Sequence, residues 1–134
     1  MKDTAQRSEN ELPVDKLIWT TDYDSLNHRF FLKKQRTLDV DTLHVENLVN
    51  DINAAWDNIR LVFVKISNDT LYVTIPESNY LTQQMGTAGA QSYISATTYS
   101  LTELTGIKYV NYAFEEGDHL APGVYSRGDF KEFR

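Results

Sequence analysis

The densest run of side chains able to do chemistry is Glu115-Glu116-Gly117-Asp118-His119, with Asp129 further along. Several carboxylates and one imidazole within five residues could ligate a divalent cation or divide acid and base roles between them. The spacing fits no established metal motif, and solvated charges on a turn account for it equally well. The same stretch continues into Pro122-Gly123-Val124-Tyr125-Ser126-Arg127, where a polar loop acquires an aromatic neighbour. Glu116, Asp118, His119 and Tyr125 are therefore the candidate binding residues. Arg127 offers the structural alternative of pairing with the acidic cluster and holding the loop closed.

Other chemistry is thinner. No Gly-x-Ser-x-Gly elbow is present, and the chain has no Cys, which excludes disulfides, zinc-thiolate sites and thiol nucleophiles. Of the three histidines, His28 falls in an expected strand and His44 in the first turn of an expected helix, surface or interface positions for both. Asp22, Asp24 and Asn27 resemble the opening of a calcium loop but lack its Gly and closing Glu, so an Asx turn is expected. Gly86-Thr87-Ala88-Gly89 opens a helix without the Lys of a phosphate loop, and close helix-on-sheet packing explains its small residues. Catalytic residues, metal and cofactors are accordingly none, and the chain is read as a non-enzyme.

The elements that must position these residues follow from periodicity. Met1 to Leu12 is polar and reads as a tether, so residues 1–13 are set apart from a single domain over 14–134. Lys16 to Thr21 and His28 to Lys34 form a hairpin around the Asp22–Asn27 turn, ending in the basic Lys33, Lys34 and Arg36. Asp39 or Asp41 caps a first helix with Val45, Leu48, Val49, Ile52 and Trp56 inward, and Glu46, Asn47, Asn50, Asp51 and Asn53 on a wet face. Arg60–Ile66 and Leu71–Ile75 make a second hairpin closed by Pro76, and residues 76–86 a connecting loop. A second helix carries Ala90, Ile94, Thr97, Leu101 and Leu104 on one stripe with Gly106 at its C-terminal cap; Tyr93 and Tyr99 flank the stripe and could extend a contact surface. A last strand runs from Ile107 to Phe114, with Tyr109 and Tyr112 on opposite faces. The tail to Arg134 is mostly loop, with a short strand near Val124 to Ser126. The order β-β-α-β-β-α-β, with two helices on a mostly antiparallel sheet, is an α+β two-layer sandwich.

Composition sets the outer bounds. The 134 residues are 41% hydrophobic and 24% charged, enough to bury one core. Thirteen Lys and Arg against nineteen Asp and Glu leave a net charge of −6, which disfavours nucleic acid and anionic membranes. No apolar run reaches the length of a spanning helix, and the N-terminus reads as no export signal.

In this order of features the chain resembles the GerMN domain, a sporulation and spore-germination family of extracytoplasmic proteins and lipoproteins. Lys16–Asp22 with Leu26 and Phe30-Phe31-Leu32 resembles the family's opening hairpin, and Phe63–Ile75 its central one. Met85-Gly-Thr-Ala-Gly-Ala90 and Thr97–Val110 resemble its small-residue helix start and the helix end that runs into the last strand. The resemblance spans residues 14–128 and departs at Glu115–Arg127, where the family places a hydrophobic, Gly-terminated turn. It implies a non-catalytic binding or assembly module of the cell envelope, similar in fold to the ring-building motifs of secretion systems. Its partner would be an envelope protein or another copy of itself, with a lipid anchor supplied by a segment outside this chain. The alternative is a binding domain for a cell-wall saccharide or peptide.

Overall fold

The computed structural model describes residues 17–35 and 44–134. The tether, the start of the first strand at Lys16, Arg36, and the helix caps expected at Asp39 or Asp41 lie outside the described residues. β1 (Trp19–Asp24) and β2 (Arg29–Lys34) pair antiparallel as a separate two-stranded sheet. The turn between them is an Asx turn: Asp24 Oδ1 accepts from the Leu26 and Asn27 amides, and Asn27 Nδ2 donates to Asp24 Oδ2 at 2.6 Å. His28 belongs to this turn and not to the strand, in the left-handed region at φ 55°.

α1 (Val45–Ala55) buries Leu48, Val49 and Ile52, the stripe expected from helical spacing. Asn53, expected on the wet face, instead clamps the helix to the next strand. Its Nδ2 donates to the Leu61 carbonyl at 2.9 Å, and its Oδ1 accepts from the Leu61 amide at 2.7 Å. β3 (Val62–Ser67) and β4 (Thr70–Thr74) form the second hairpin around Asn68, whose φ of 58° makes the tight turn. The expected loop over 76–86 contains a turn of π-helix at Tyr80–Gln84, because Leu81 and Thr82 are both buried and anchor it.

α2 (Gly86–Leu101) then crosses back so that β5 (Tyr109–Ala113) lies parallel to β4, and β6 (Gly123–Tyr125) closes a four-stranded sheet in the order β3-β4-β5-β6. The tail is more ordered than its Gly and Pro content predicts. A 3₁₀ helix over Arg127–Phe133 is held by a capping box between Ser126 and Asp129, and Phe130 is buried. The fold is thus mixed α+β, with two sheets where one was expected.

α2 departs most from expectation. Every residue from Tyr93 to Leu101 is buried, not one stripe, because the helix is covered on several sides at once. Thr21 Oγ1 bonds Ser92 Oγ, and Ser100 Oγ accepts from the Trp19 amide at 3.2 Å, so β1 covers one side. Thr98 Oγ1 meets Tyr112 Oη at 2.7 Å from β5 on another, and Trp56 at the end of α1 packs edge-on against Tyr93. Tyr93 and Tyr99 are therefore core residues and extend no contact surface. Small hydroxylated side chains suit such a helix, since each lets a neighbour approach closely and can turn its hydroxyl to a helix carbonyl, as Ser95 does to Ser92 O and Thr102 to Thr98 O. The helix ends at Leu101, short of Gly106, which at φ 83° closes the following turn and leaves Leu104 half-buried outside the helix.

Candidate functional site

The loop from Glu115 to Ala121 is fastened to the π turn and the start of α2. Ser78 Oγ donates to the Glu115 carbonyl at 3.0 Å, the His119 amide donates to the Thr82 carbonyl at 3.0 Å, and His119 Nδ1 lies 2.8 Å from Thr87 Oγ1. The acidic run therefore sits beside a helix N-terminus, where negative charge is favourable for structural reasons alone. Gly117 is required by close approach: a Cβ there would lie 2.4 Å from Thr82 Oγ1 and 2.7 Å from Gln83 Nε2. Gly117→Ala should push the loop off the π turn at a cost of about 1–3 kcal/mol. Urea denaturation and amide exchange at His119 would measure it, and an unchanged midpoint with unchanged protection would rule out this tight seat.

Among the described residues no hydrogen bond or ion pair joins any two of the four expected binding residues. Glu116 lines an open groove of about 310 Å³ with Glu77, Ser78, Thr82, Gln83 and Glu115. Asp118 faces solvent, and His119 is half-buried with its ring turned to Thr87. Tyr125 donates its hydroxyl to the Ala121 carbonyl at 2.6 Å and packs between Tyr112 and Phe130, which makes it a pin for the tail. Burial raises its phenol pKa, and the charges of Asp129 and Glu116 push it further in the same direction. Among the described residues no group of three or more His, Asp or Glu could hold a metal ion.

Arg127 does not pair with the acidic loop. It points to the opposite end of α2, where its Nη2 donates to Glu103 at 2.9 Å and to the Tyr99 carbonyl at 2.8 Å, and its Nε donates to Thr102 Oγ1 at 2.8 Å. The guanidinium lies over the rings of Tyr99 (4.7 Å) and Trp19 (5.6 Å). Glu103 Oε2 also accepts from Trp19 Nε1 at 3.0 Å and pairs with Lys34 at 3.6 Å. Arg134 completes the group through Nε, 2.9 Å from Tyr99 Oη. A slot of about 370 Å³ opens here, lined by Trp19, Leu32, Tyr99, Arg127 and Arg134. Sequence reasoning missed this constellation because its members come from β1, β2, the end of α2 and the tail, with Trp19 and Glu103 already 84 positions apart. No local spacing joins Trp19, Glu103 and Arg127, so the sequence carried no signal for this group.

The outer face of the four-stranded sheet is the other open surface. Leu71, Val73, Val110 and Tyr112 turn inward, so their neighbours Thr70, Tyr72, Thr74, Tyr109 and Asn111 turn outward, with Val124 beside Asn111. Tyr109 and Val124 are 40% and 55% exposed, and Lys65 lies over the Tyr72 ring at 5.0 Å. A register irregularity between Phe63 and Lys65 breaks the free edge of β3, a feature that discourages indiscriminate strand pairing.

No helix among the described residues is long and apolar enough to cross a membrane. No protein-family model matches the chain, and comparison with curated proteins and with solved structures finds no significant match.

Proposed function

We propose that the protein is a non-catalytic binding or assembly module, a single GerMN-like domain of the cell envelope that works through protein contacts. In this reading α1, α2 and the four-stranded sheet form the two-layer sandwich, and the β1–β2 hairpin is a cover over α2. The observation that carries it is the uncovered sheet face with its tyrosines: aromatic side chains with polar tips supply contact area at low entropic cost. Helix faces contribute less than the sequence pattern suggests, since the second half of α2 is buried throughout. The partner is an envelope protein or a second copy, and the anchor of such a module would lie in a segment outside this chain.

Light scattering from micromolar to millimolar protein tests the self-association arm. Mass should rise with concentration, and the double substitution Tyr72→Ser with Tyr109→Ser should abolish the rise while shifting stability by only about 0.5 kcal/mol. A mass that stays monomeric throughout would end the self-assembly reading. The second reading, a domain for a saccharide or peptide, needs two aromatic faces in one concavity. Trp19 and Tyr99 line one slot together, with Trp19 supplying most of the open aromatic face because Tyr99 is almost wholly buried, in the company of cations that favour an anionic ligand.

A further inference from the structure

We propose that the slot between Trp19, Leu32 and Tyr99 binds a small organic carboxylate with an apolar body, the acid held by Arg127 and Arg134. This does not depend on the sheet-face reading, because none of the residues involved lies on that face. The volume, about 370 Å³, is at the small end of ligand-binding cavities. Its walls are mostly carbon: Leu32 is buried, and the Trp19 and Tyr99 rings meet edge-on with centroids 4.9 Å apart.

The donors are what single it out. A guanidinium has five N–H groups. Arg127 spends three, on Thr102, the Tyr99 carbonyl and Glu103, so the pair on Nη1 donates to nothing among the described residues. Arg134 spends Nε on Tyr99 Oη, and its Nη1 and Nη2 pairs are likewise unengaged among those residues. Lys34 stands near, over the Trp19 ring at 5.8 Å. Two cations, Lys34 and Arg127, thus share the one carboxylate of Glu103, and a third, Arg134, bonds Tyr99 Oη in the same slot, in a chain whose net charge is −6. Arg127 is held in advance by its three bonds and two ring contacts, so little is lost in ordering it around a ligand. The Nη1 and Nη2 fork of Arg134 matches a planar carboxylate, and Nη1 of Arg127 offers it a further donor. A neutral sugar would leave them unpaired, and inorganic phosphate would leave the carbon walls wet.

Nuclear magnetic resonance titration of nitrogen-labelled protein with phenylacetate tests this, because one of only two Trp indoles lines the slot. Trp56→Phe assigns the two indole resonances. Phenylacetate should shift the Trp19 indole with saturation in the millimolar range and leave that of Trp56 in place, and phenylacetamide should bind about tenfold more weakly or worse. Arg134→Gln, at an exposed site, should weaken phenylacetate about tenfold, with a cooperative thermal transition, lowered only by the lost bond to Tyr99 Oη, showing that the variant is folded. Equal binding of the amide, equal shifts from inorganic phosphate, or no saturating shift by about 20 mM would each overturn the proposal. The source of the acid is read by comparing N-acetylphenylalanine with a peptide ending in Phe. Tighter binding of the first supports a free acid and of the second a chain terminus, while equal binding of the peptide and its C-terminal amide overturns carboxylate recognition.

Discussion

Tyr93→Phe should stabilise the protein and Tyr112→Phe should weaken it, although both remove a phenol hydroxyl from the same core. Both rings are buried, with exposures of 0% and 1%. Tyr112 Oη is paired with Thr98 Oγ1 at 2.7 Å, whereas Tyr93 Oη and Thr97 Oγ1, buried one helical turn apart, close no hydrogen bond of acceptable geometry with each other or with any other described residue, so Thr97 eases the Tyr93 phenol only through a poor contact. A buried hydroxyl without a partner has given up water for nothing, so deleting it should gain about 1–2 kcal/mol, and adding Thr97→Val should gain further. Deleting the Tyr112 hydroxyl strands Thr98 and should cost about 1–2 kcal/mol. Urea denaturation measures both, and equal signs would refute the distinction. Alkali offers an independent check. Burial raises both phenol pKa values, against which Thr97 and Thr98 act weakly, and neighbouring tyrosines add to the rise at Tyr112. A folded pKa above the ordinary 10.0 gives a contribution that is complete below that pH and lost as pH climbs towards the folded value. Phenolate absorbance from these two residues should therefore appear only together with unfolding.

The contrast also shows what can be read from a sequence. The α1 stripe, the Asn68 turn and the Asp24 turn were legible because each is set by neighbours within a few positions: helical spacing in the first, local turn chemistry in the others. The burial of α2 was not, because Ser95, Thr98 and Ser100 fall outside the inward stripe and look solvated until β1, β5 and Trp56 cover the helix. Hydroxyls that bond to their own helix carry no outward sign of burial. The acidic loop was legible as a loop, but its fastening was not, since its order comes from Thr82, Thr87 and the space demanded at Gly117. The slot at Trp19 was invisible for the opposite reason. Arg127 and Glu103 are 24 positions apart and Trp19 is 84 from Glu103, and nothing at shorter range ties them together.

Arg127→Ala should lower stability by about 2–4 kcal/mol, because one side chain joins three elements. It donates at 2.8 Å to the Tyr99 carbonyl in the last turn of α2, which is otherwise met only by the Thr102 hydroxyl at 3.2 Å, and it carries Thr102, Glu103 and two aromatic rings as well. The Arg127 side chain keeps 35% of its surface, so solvent screens part of its charge and most of the loss comes from hydrogen bonds and ring contact. Arg127→Lys should recover little, since an ammonium cannot serve all three acceptors in a plane. Glu103 supplies the matching acid limb. Burial alone would raise its pKa, but hydrogen bonds from Trp19 and Arg127, with the charges of Lys34 and Arg127, outweigh that and hold it below the ordinary 4.5. A depressed folded value means the contribution is present above about pH 4.5 and disappears as pH falls through the folded pKa. Denaturation midpoints followed from neutral pH down to about pH 3 should fall more steeply in the wild type than in Glu103→Gln. Parallel profiles would show that the carboxylate is only one more solvated charge, and the slot it organises would then have to be held by the rings alone.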